Sequence, residues 1–126
     1  MLSSSRLIAF VRVTDYQRAR DFYGDVLGLE FVSQDEYALV LKSGANMIRI
    51  VKTGPFTPER STVLGWEVSG IERAAAELQA RGVSFEKYPW VNDPTGVGIW
   101  TAPGGDKVAW FKDPDGNVLS ISQHHE

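Results

Sequence analysis

The sequence contains no cysteine and very little histidine, and both shortages limit its chemistry. Among its 126 residues there are no cysteines and only two histidines, His124 and His125, which we interpret as a frayed tail. Disulfides, thiolate metal sites and thiol nucleophiles are therefore excluded. A mechanism that needs a histidine within the fold, as metal ligand or base, is not expected either.

Long apolar runs and an excess of positive charge are also missing. The stretch from Leu7 to Val11 is too short to cross a membrane and has no signal-peptide pattern. Lys and Arg number 13 against 16 Asp and Glu, which gives a net charge of -3 with no basic block. We therefore expect one folded domain over residues 1–126, located in the cytoplasm, with no nucleic-acid and no membrane partner.

The pattern of apolar residues and turn signals predicts the same order of elements twice, βαβββ. In the first module, about residues 6–52, a strand at 7–13 that is buried on both faces over most of its length leads to a helix. Asp15 caps this helix and Gly28 ends it, and three strands follow: 29–34, 37–42 and 46–52. Residues 53–61 form a linker. The second module, about residues 62–123, repeats the order with a strand, a helix and three strands: 62–68, 71–81, 83–88, 107–112 and 118–122.

Alternate residues of a strand point to opposite faces of its sheet. In the first strand of each module, one set of alternate residues is expected under the helix: Ala9, Val11 and Val13, then Leu64, Trp66 and Val68. The other set points away from the helix: Ile8, Phe10 and Arg12, then Val63, Gly65 and Glu67. We expect the faces that carry the second set to border a cleft in which a ligand binds.

Two motifs carry a resemblance to a known family. The residues FYGDVLG at 22–28 follow Val13-Thr14-Asp15, and the residues DPDGN at 113–117 precede the last strand. Together they resemble the vicinal oxygen chelate superfamily, which holds glyoxalase I, extradiol dioxygenases and the fosfomycin and bleomycin resistance proteins. The resemblance covers Leu7 to Gln123. It implies an α+β fold in which two βαβββ modules form a cup-shaped curved sheet, with a helix on the outside of each module, and it implies a homodimer.

The resemblance also implies a divalent metal in the enzymes of the family, and this sequence departs from their pattern. The four ligand positions fall on Ile8, Arg49, Val63 and Ser120. Ile8 and Val63 have no donor atom, and Arg49 adds a positive charge where a cation would bind. We therefore expect no metal and no cofactor.

The candidate ligand-binding residues lie on the faces turned away from the helices, or in one loop: Ile8, Phe10, Arg49, Val63, Glu67, Trp90 and Ser120. Arg49 would contact an anionic group of the ligand or, alternatively, pair with Glu67 inside the fold. Trp90 lies in a loop of a length that often covers a pocket, which favours an aromatic ligand. Ser120 has no base beside it and is at most a lining residue. The faces taken by Trp100 and Trp110 stay open.

Three functions are compatible with these residues. The first is metal-independent binding of a small organic molecule, anionic or aromatic, in the cleft between the modules. The second is an enzyme of the same superfamily with a non-standard site, in which Glu67 is the acid or base and Arg49 stabilises charge. The third is a module whose cleft has closed and which serves only dimerisation.

Overall fold

The computed structural model describes residues 1–125 and divides the chain into two compact units, Met1–Thr57 and the residues from Pro58 onward. Each unit contains a four-stranded sheet and one α-helix, so the predicted α+β class with two βαβββ modules is confirmed. The last residue of the predicted domain 1–126 lies outside the described residues. None of the helices in residues 1–125 is long and apolar enough to span a membrane.

In the first unit, a strand and a helix lead to three further strands: β1 (Ile8–Val13), α1 (Tyr16–Arg20), β2 (Glu30–Gln34), β3 (Leu39–Ser43) and β4 (Asn46–Lys52). A π-helical segment, Asp21–Val26, continues α1. The strand order is β1-β4-β3-β2, with β1 parallel to β4 and the other pairs antiparallel.

The first helix begins and ends where its sequence signals place it. The Asp15 side chain accepts a hydrogen bond from the N–H of Arg18 at 2.9 Å, as an N-cap does. Gly28 follows the π-helical segment with a φ of 77°, in the left-handed region that favours glycine. Between these ends, Ala19 and Tyr23 are buried, and the Lys52 N–H donates to the Tyr16 hydroxyl at 3.4 Å. The helix therefore packs on the sheet beside β4.

One face of the first sheet is buried, whereas the other is exposed along β1 and buried at Val40 of β3. The buried face carries six apolar side chains from three strands: Val11, Val13, Leu39, Leu41, Ile48 and Ile50. On the second face, Ile8 is 45% and Phe10 is 65% exposed. The predicted separation of the two faces is therefore confirmed. The prediction that the first strand is buried on both faces is wrong, because α1 covers only one of them.

In the second unit, the elements are β5 (Leu64–Glu67), α2 (Ile71–Ala80), β6 (Trp100–Thr101), β7 (Lys107–Lys112) and β8 (Val118–Gln123). The strand order β5-β8-β7-β6 matches that of the first unit. The face under α2 carries buried apolar side chains from the sheet and from the segment after the helix: Phe85, Ala109, Phe111, Leu119 and Ile121. Trp66 pairs with Ile121 and lies on this face, as expected.

The predicted strand 83–88 is wrong for most of its length. Phe85 makes one β-bridge with Phe111, and the Glu86 N–H donates to the Trp110 carbonyl oxygen at 2.8 Å. The chain then leaves β7 and returns to its edge as β6, where Trp100 pairs with Val108. The segment between them, which we call the 87–99 loop, interrupts this strand, whereas the corresponding strand of the first unit, β2, is broken only by a bulge between Phe31 and Ser33.

The DPDGN turn that joins β7 to β8 is held by a buried carboxylate. Asp113 is 5% exposed, and its Oδ1 accepts from the N–H groups of Asp115 and Asn117, both at 2.9 Å. Its Oδ2 accepts from the side-chain Nδ2 of Asn117 at 2.8 Å. Gly116 has a φ of 90°, which glycine adopts without steric cost. The motif that carries the resemblance therefore has a structural role.

We predict that Asp113→Ala lowers the free energy of unfolding by about 1 to 3 kcal/mol, because it leaves buried hydrogen-bond donors without an acceptor. Urea unfolding followed by far-UV circular dichroism measures the change. Glu59→Ala is the control, because Glu59 is exposed in the segment between β4 and β5, and it should alter stability little. Equal stability of the two variants would contradict this account of the turn.

Candidate ligand-binding site

Three of the predicted site residues lie together on the second face of the first sheet. Phe10 of β1 pairs with Arg49 of β4. Arg49 pairs in turn with Val40 of β3, so Phe10, Arg49 and Val40 form a row across the sheet. Ile8 lies two residues before Phe10 on the same face. Arg49 is half-buried, whereas Phe10 is largely exposed. This face therefore offers apolar surface beside a guanidinium group.

The charge of Arg49 acts on a carboxylate of its own unit. Asp35, in the turn between β2 and β3, accepts hydrogen bonds from the N–H groups of Tyr37 and Ala38 at 2.8 and 3.0 Å. These hydrogen bonds lower the pKa of Asp35, and the charge of Arg49 acts in the same direction. The pairing of Arg49 with Glu67, which belongs to the other unit, stays a prediction.

Three further site residues lie on the second face of the second sheet or at its edge. Ser120 of β8 is 8% exposed and pairs with Gly65 on one side and Trp110 on the other. A Cβ atom on Gly65 would lie 2.7 Å from Ser120 Oγ, so only glycine leaves the hydroxyl in place there. Glu67 is exposed and ends β5, and Val63, which is 40% exposed, precedes that strand. These residues give the face a carboxylate and a hydroxyl.

Four aromatic rings form a cluster on the same face. The cluster consists of Tyr88 and Trp90 from the 87–99 loop, Trp100 from β6 and Trp110 from β7. Trp90 stacks on Tyr88 with ring centroids 5.5 Å apart and meets Trp110 edge-on at 5.6 Å and Trp100 edge-on at 5.9 Å. Because Trp110 pairs with Ser120 and Trp100 pairs with Val108, both rings lie on the face turned away from α2. This settles the orientation that the sequence left open.

Trp90 is the most accessible member of the cluster. It is 60% exposed, although its ring contacts three other aromatic rings. The large apolar area of an indole normally favours burial. An exposed tryptophan that rests on other rings therefore presents a flat aromatic surface to the solvent.

Asp93 holds the loop that carries Trp90. Its Oδ1 accepts from the N–H and the hydroxyl of Thr95 at 3.0 and 2.8 Å. Its Oδ2 accepts from the N–H groups of Gly98 and Ile99 at 2.9 and 2.8 Å. Gly98 itself has a φ of 111°, and a Cβ atom there would lie 2.5 Å from the Glu86 carbonyl oxygen. The 87–99 loop therefore depends on one carboxylate and one glycine.

The hydrogen bonds to Asp93 change its ionisation. Partial burial raises the pKa of Asp93, but hydrogen bonds from the Thr95 hydroxyl and from the N–H groups of Ile99, Thr95 and Gly98 outweigh burial. Together they lower the pKa from 3.8 to about 2. The loop is therefore held by an ionised carboxylate at neutral pH.

The interpretation of His124 as a frayed tail is wrong. Its Nε2 lies 3.1 Å from Ser122 Oγ, and its Nδ1 lies 3.1 Å from Asp106 Oδ2. Ser122 and His124 are two residues apart, the spacing that places side chains on one face of an extended chain. That spacing was visible in the sequence, but the partner Asp106, from the turn before β7, was not.

Comparison with known proteins agrees with this architecture. The family model of the Glyoxalase/Bleomycin resistance protein/Dioxygenase superfamily matches residues 7–121. The chain belongs to this superfamily. The protein YraH of Bacillus subtilis (strain 168) is 29% identical, over 86% of this chain and 90% of its own.

Solved structures of the superfamily have the same fold. The glyoxalase family protein from Enterococcus faecalis has a TM-score of 0.73 and 25% identity, and the match covers 97% of this chain and 99% of that one. The glyoxalase/bleomycin resistance protein/dioxygenase from Alicyclobacillus acidocaldarius has a TM-score of 0.77 at 14% identity, over 98% of this chain and 93% of its own.

The metal that the superfamily implies does not fit the residues of this chain. Of the four positions that correspond to its ligands, Ile8 and Val63 offer no donor atom and Arg49 is cationic. The hydroxyl of the fourth, Ser120, lies in a tight space opposite Gly65. Across residues 1–125, no group of three or more His, Asp or Glu side chains is arranged to hold a metal ion. A divalent metal needs several such donors converging on one point.

We predict that Asp93→Asn loosens the 87–99 loop and weakens the near-UV circular dichroism of the aromatic cluster, because one acceptor oxygen becomes a donor that faces N–H groups. Since the pKa of Asp93 is lowered, its contribution to stability is present above pH 3.8 and is lost as the pH falls through about 2. The variant should lack this part of the acid dependence.

Spectra and urea unfolding recorded from neutral pH down to acid measure both effects. Asp35→Asn is the matched control, because Asp35 also accepts two backbone N–H groups in a turn but lies in the first unit. It should leave the tryptophan signal unchanged. A wild-type signal in Asp93→Asn would show that the carboxylate does not hold Trp90.

Proposed function

We propose that this protein binds a small planar aromatic molecule, without a metal ion, and that the ligand stacks on the aromatic cluster of the second unit. The observation that carries the proposal is Trp90, which is 60% exposed while three neighbouring rings support it. A ring held in this way loses little conformational freedom when a ligand stacks on it. Superfamily membership supports small-molecule binding in general.

Polar groups beside the cluster support a ligand with hydrogen-bonding substituents. Ser120, which pairs with Trp110, is 8% exposed and lies below the surface of the same face. Glu67, one strand further across, offers an exposed carboxylate. This arrangement favours a neutral or cationic ligand at the cluster, whereas Arg49 on the first sheet favours an anionic group. The predicted cleft between the modules, which would bring both charges to one ligand, stays a prediction.

The remaining predictions concern the homodimer, the cellular location and the two alternative functions. A homodimer is supported by the apolar side chains of Ile8 and Phe10, which are 45% and 65% exposed on the second face of the first sheet. A cytoplasmic location follows only from the composition. An enzyme that uses Glu67 as acid or base and Arg49 as stabilising charge stays a prediction, as does a closed cleft that serves only dimerisation.

We predict that Trp90→Ala weakens the binding of planar aromatic compounds by at least about tenfold, because it removes the stacking surface. Tryptophan fluorescence titrations with 2-naphthol and 2-naphthoate measure the dissociation constants and test the preference for charge. Trp66→Phe is the control, because Trp66 lies on the face under α2. It should bind like the wild type. Equal affinities of Trp90→Ala and the wild type would contradict the proposal.

We also predict that the protein purifies without a stoichiometric transition metal and that added Zn, Ni, Mn or Fe does not raise its melting temperature, because residues 1–125 supply no converging donors. Elemental analysis and thermal melts measure both. The variant with both His124→Gln and His125→Gln controls for metal held at the tail. One metal ion per chain, retained in that variant, would refute metal independence.

A further inference from the structure

Three side chains at the end of β8 form a continuous chain of hydrogen bonds. Ser122 Oγ lies 3.1 Å from His124 Nε2, and His124 Nδ1 lies 3.1 Å from Asp106 Oδ2. Both distances fall in the range in which a nucleophile, its base and the group that orients the base contact one another. Ser, His and Asp meet through these same atoms in serine hydrolases.

The chemistry of the carboxylate decides which way the hydrogen bonds run. An ionised Asp106 can only accept, so the Nδ1 of a neutral His124 carries the proton and donates it to Asp106. The Nε2 of His124 is then an acceptor, and the Ser122 hydroxyl donates to it. This is the proton arrangement that activates a serine hydroxyl for attack.

The carboxylate that binds the His124 ring also binds the backbone next to it. Asp106 Oδ1 accepts from the backbone N–H of the next residue, His125, at 2.7 Å. Since Asp106 binds both the imidazole of His124 and the backbone after it, this carboxylate fixes the position of the base.

Ser122 lies beside the aromatic cluster. It pairs with Val108 of β7, and Val108 pairs with Trp100 of β6, so the serine and the indole belong to one row of the second face. Ser120, two residues before Ser122 on the same face, pairs with Trp110. Neighbouring strands are about 5 Å apart, so a ligand stacked on the cluster would reach Ser122 with a substituent of a few atoms.

We propose that Ser122 is a nucleophile for acyl transfer, with His124 as its general base and Asp106 as the positioning residue, and that the substrate is a carboxylic ester with a planar aromatic group. The choice of an aromatic substrate rests on the proposed binding function. The reactivity of Ser122 does not, because it depends only on His124 and Asp106.

The reaction has two balanced steps. In the first, Ser122 Oγ forms a bond to the ester carbonyl carbon while its proton passes to His124 Nε2. The bond from that carbon to the alcohol oxygen then breaks, and the leaving alcohol takes the proton from His124. In the second, water gives a proton to His124 and attacks the acyl carbon, which releases the acid and returns the proton to Ser122. His124 is 52% exposed on its side chain, so water reaches it.

The charge beside Ser122 narrows the substrate class. Glu67 pairs with Ser122 across β5 and β8 and is exposed on the same face. A carboxylate next to the nucleophile repels an anionic acyl group and attracts a cationic one. Neutral or cationic aromatic esters are therefore the expected substrates.

The direct test is covalent labelling of the purified full chain with a fluorophosphonate, in which the serine oxygen bonds to phosphorus, the P–F bond breaks and the proton passes to His124. We expect one label per chain, located on Ser122 by peptide mass mapping. This readout uses the wild-type protein and does not depend on whether a variant folds. Absence of a label on Ser122 would overturn the proposal, and the hydrogen bonds would then serve only to anchor the end of β8.

Hydrolysis of p-nitrophenyl acetate and p-nitrophenyl benzoate gives the second readout. Ser122→Ala and His124→Gln should each lower kcat/KM by at least about a hundredfold, as expected when nucleophile or base is lost. His125→Gln is the matched control, because it removes the neighbouring imidazole but keeps the backbone N–H that Asp106 binds. It should hydrolyse both esters like the wild type. Equal losses in His125→Gln would show that the activity is nonspecific catalysis by surface imidazole, which would overturn the proposal.

Asp106→Asn tests the positioning role. The amide cannot hold the same tautomer of His124, so kcat should fall while KM and the melting temperature stay near those of the wild type. A fall in melting temperature with unchanged kcat would assign Asp106 a structural role only and overturn this part of the proposal.

Trp90→Ala separates this proposal from the binding function. It should remove the preference for the benzoate over the acetate. Labelling of Ser122 in a protein that shows no such preference would support the reactive serine and contradict aromatic binding at the cluster. Aromatic binding without labelling would contradict the reactive serine alone.

Discussion

The alternation of side chains along each strand is the constraint on which the candidate site depends. In both units a single helix packs on one face of a four-stranded sheet, so one set of alternate residues forms the core. The other set points away from the helix and includes the side chains of the candidate site. A shift of register by one residue would move Trp110 and Ser120 into the core and Phe111 and Leu119 out of it.

The two units differ where the second one interrupts its edge strand. In the first unit β2 pairs continuously with β3 apart from a bulge, whereas in the second unit the chain leaves β7 after Phe85 and returns at Trp100. The 87–99 loop places Trp90 over Trp100 and Trp110, and Asp93 holds it with hydrogen bonds to three later residues. The same departure from the repeat therefore creates the aromatic surface. A protein of this fold with a continuous edge strand in the second sheet would lack the aromatic surface.

Much of the fold could be predicted from the sequence because its signals are local. Strands 46–52 and 107–112 and the start of helix 71–80 agree with the structure, since apolar alternation and turn residues mark them. The strand at 83–88 could not be excluded by the same signals, because apolar and polar residues alternate from Val83 to Glu86 and the loop that follows is held by Asp93, several residues later. The position of Trp90 in a loop agrees with the structure, and its role in binding stays a prediction. The face of the sheet on which Trp100 lies and the hydrogen bond between His124 and Asp106 depend on pairing between distant segments. Spacing along the chain does not reveal such pairing.

The central claim is that the aromatic cluster, and not the tryptophan under α2, receives the ligand. The chain has four tryptophans, and each gives one indole N–H signal in a ¹H–¹⁵N spectrum. Titration with 2-naphthol, with assignments from single Trp→Phe variants, tests the claim directly. We predict that the signals of Trp90, Trp100 and Trp110 shift together along one binding curve while that of Trp66 stays in place. A shift confined to Trp66, or no shift at saturating ligand, would contradict it.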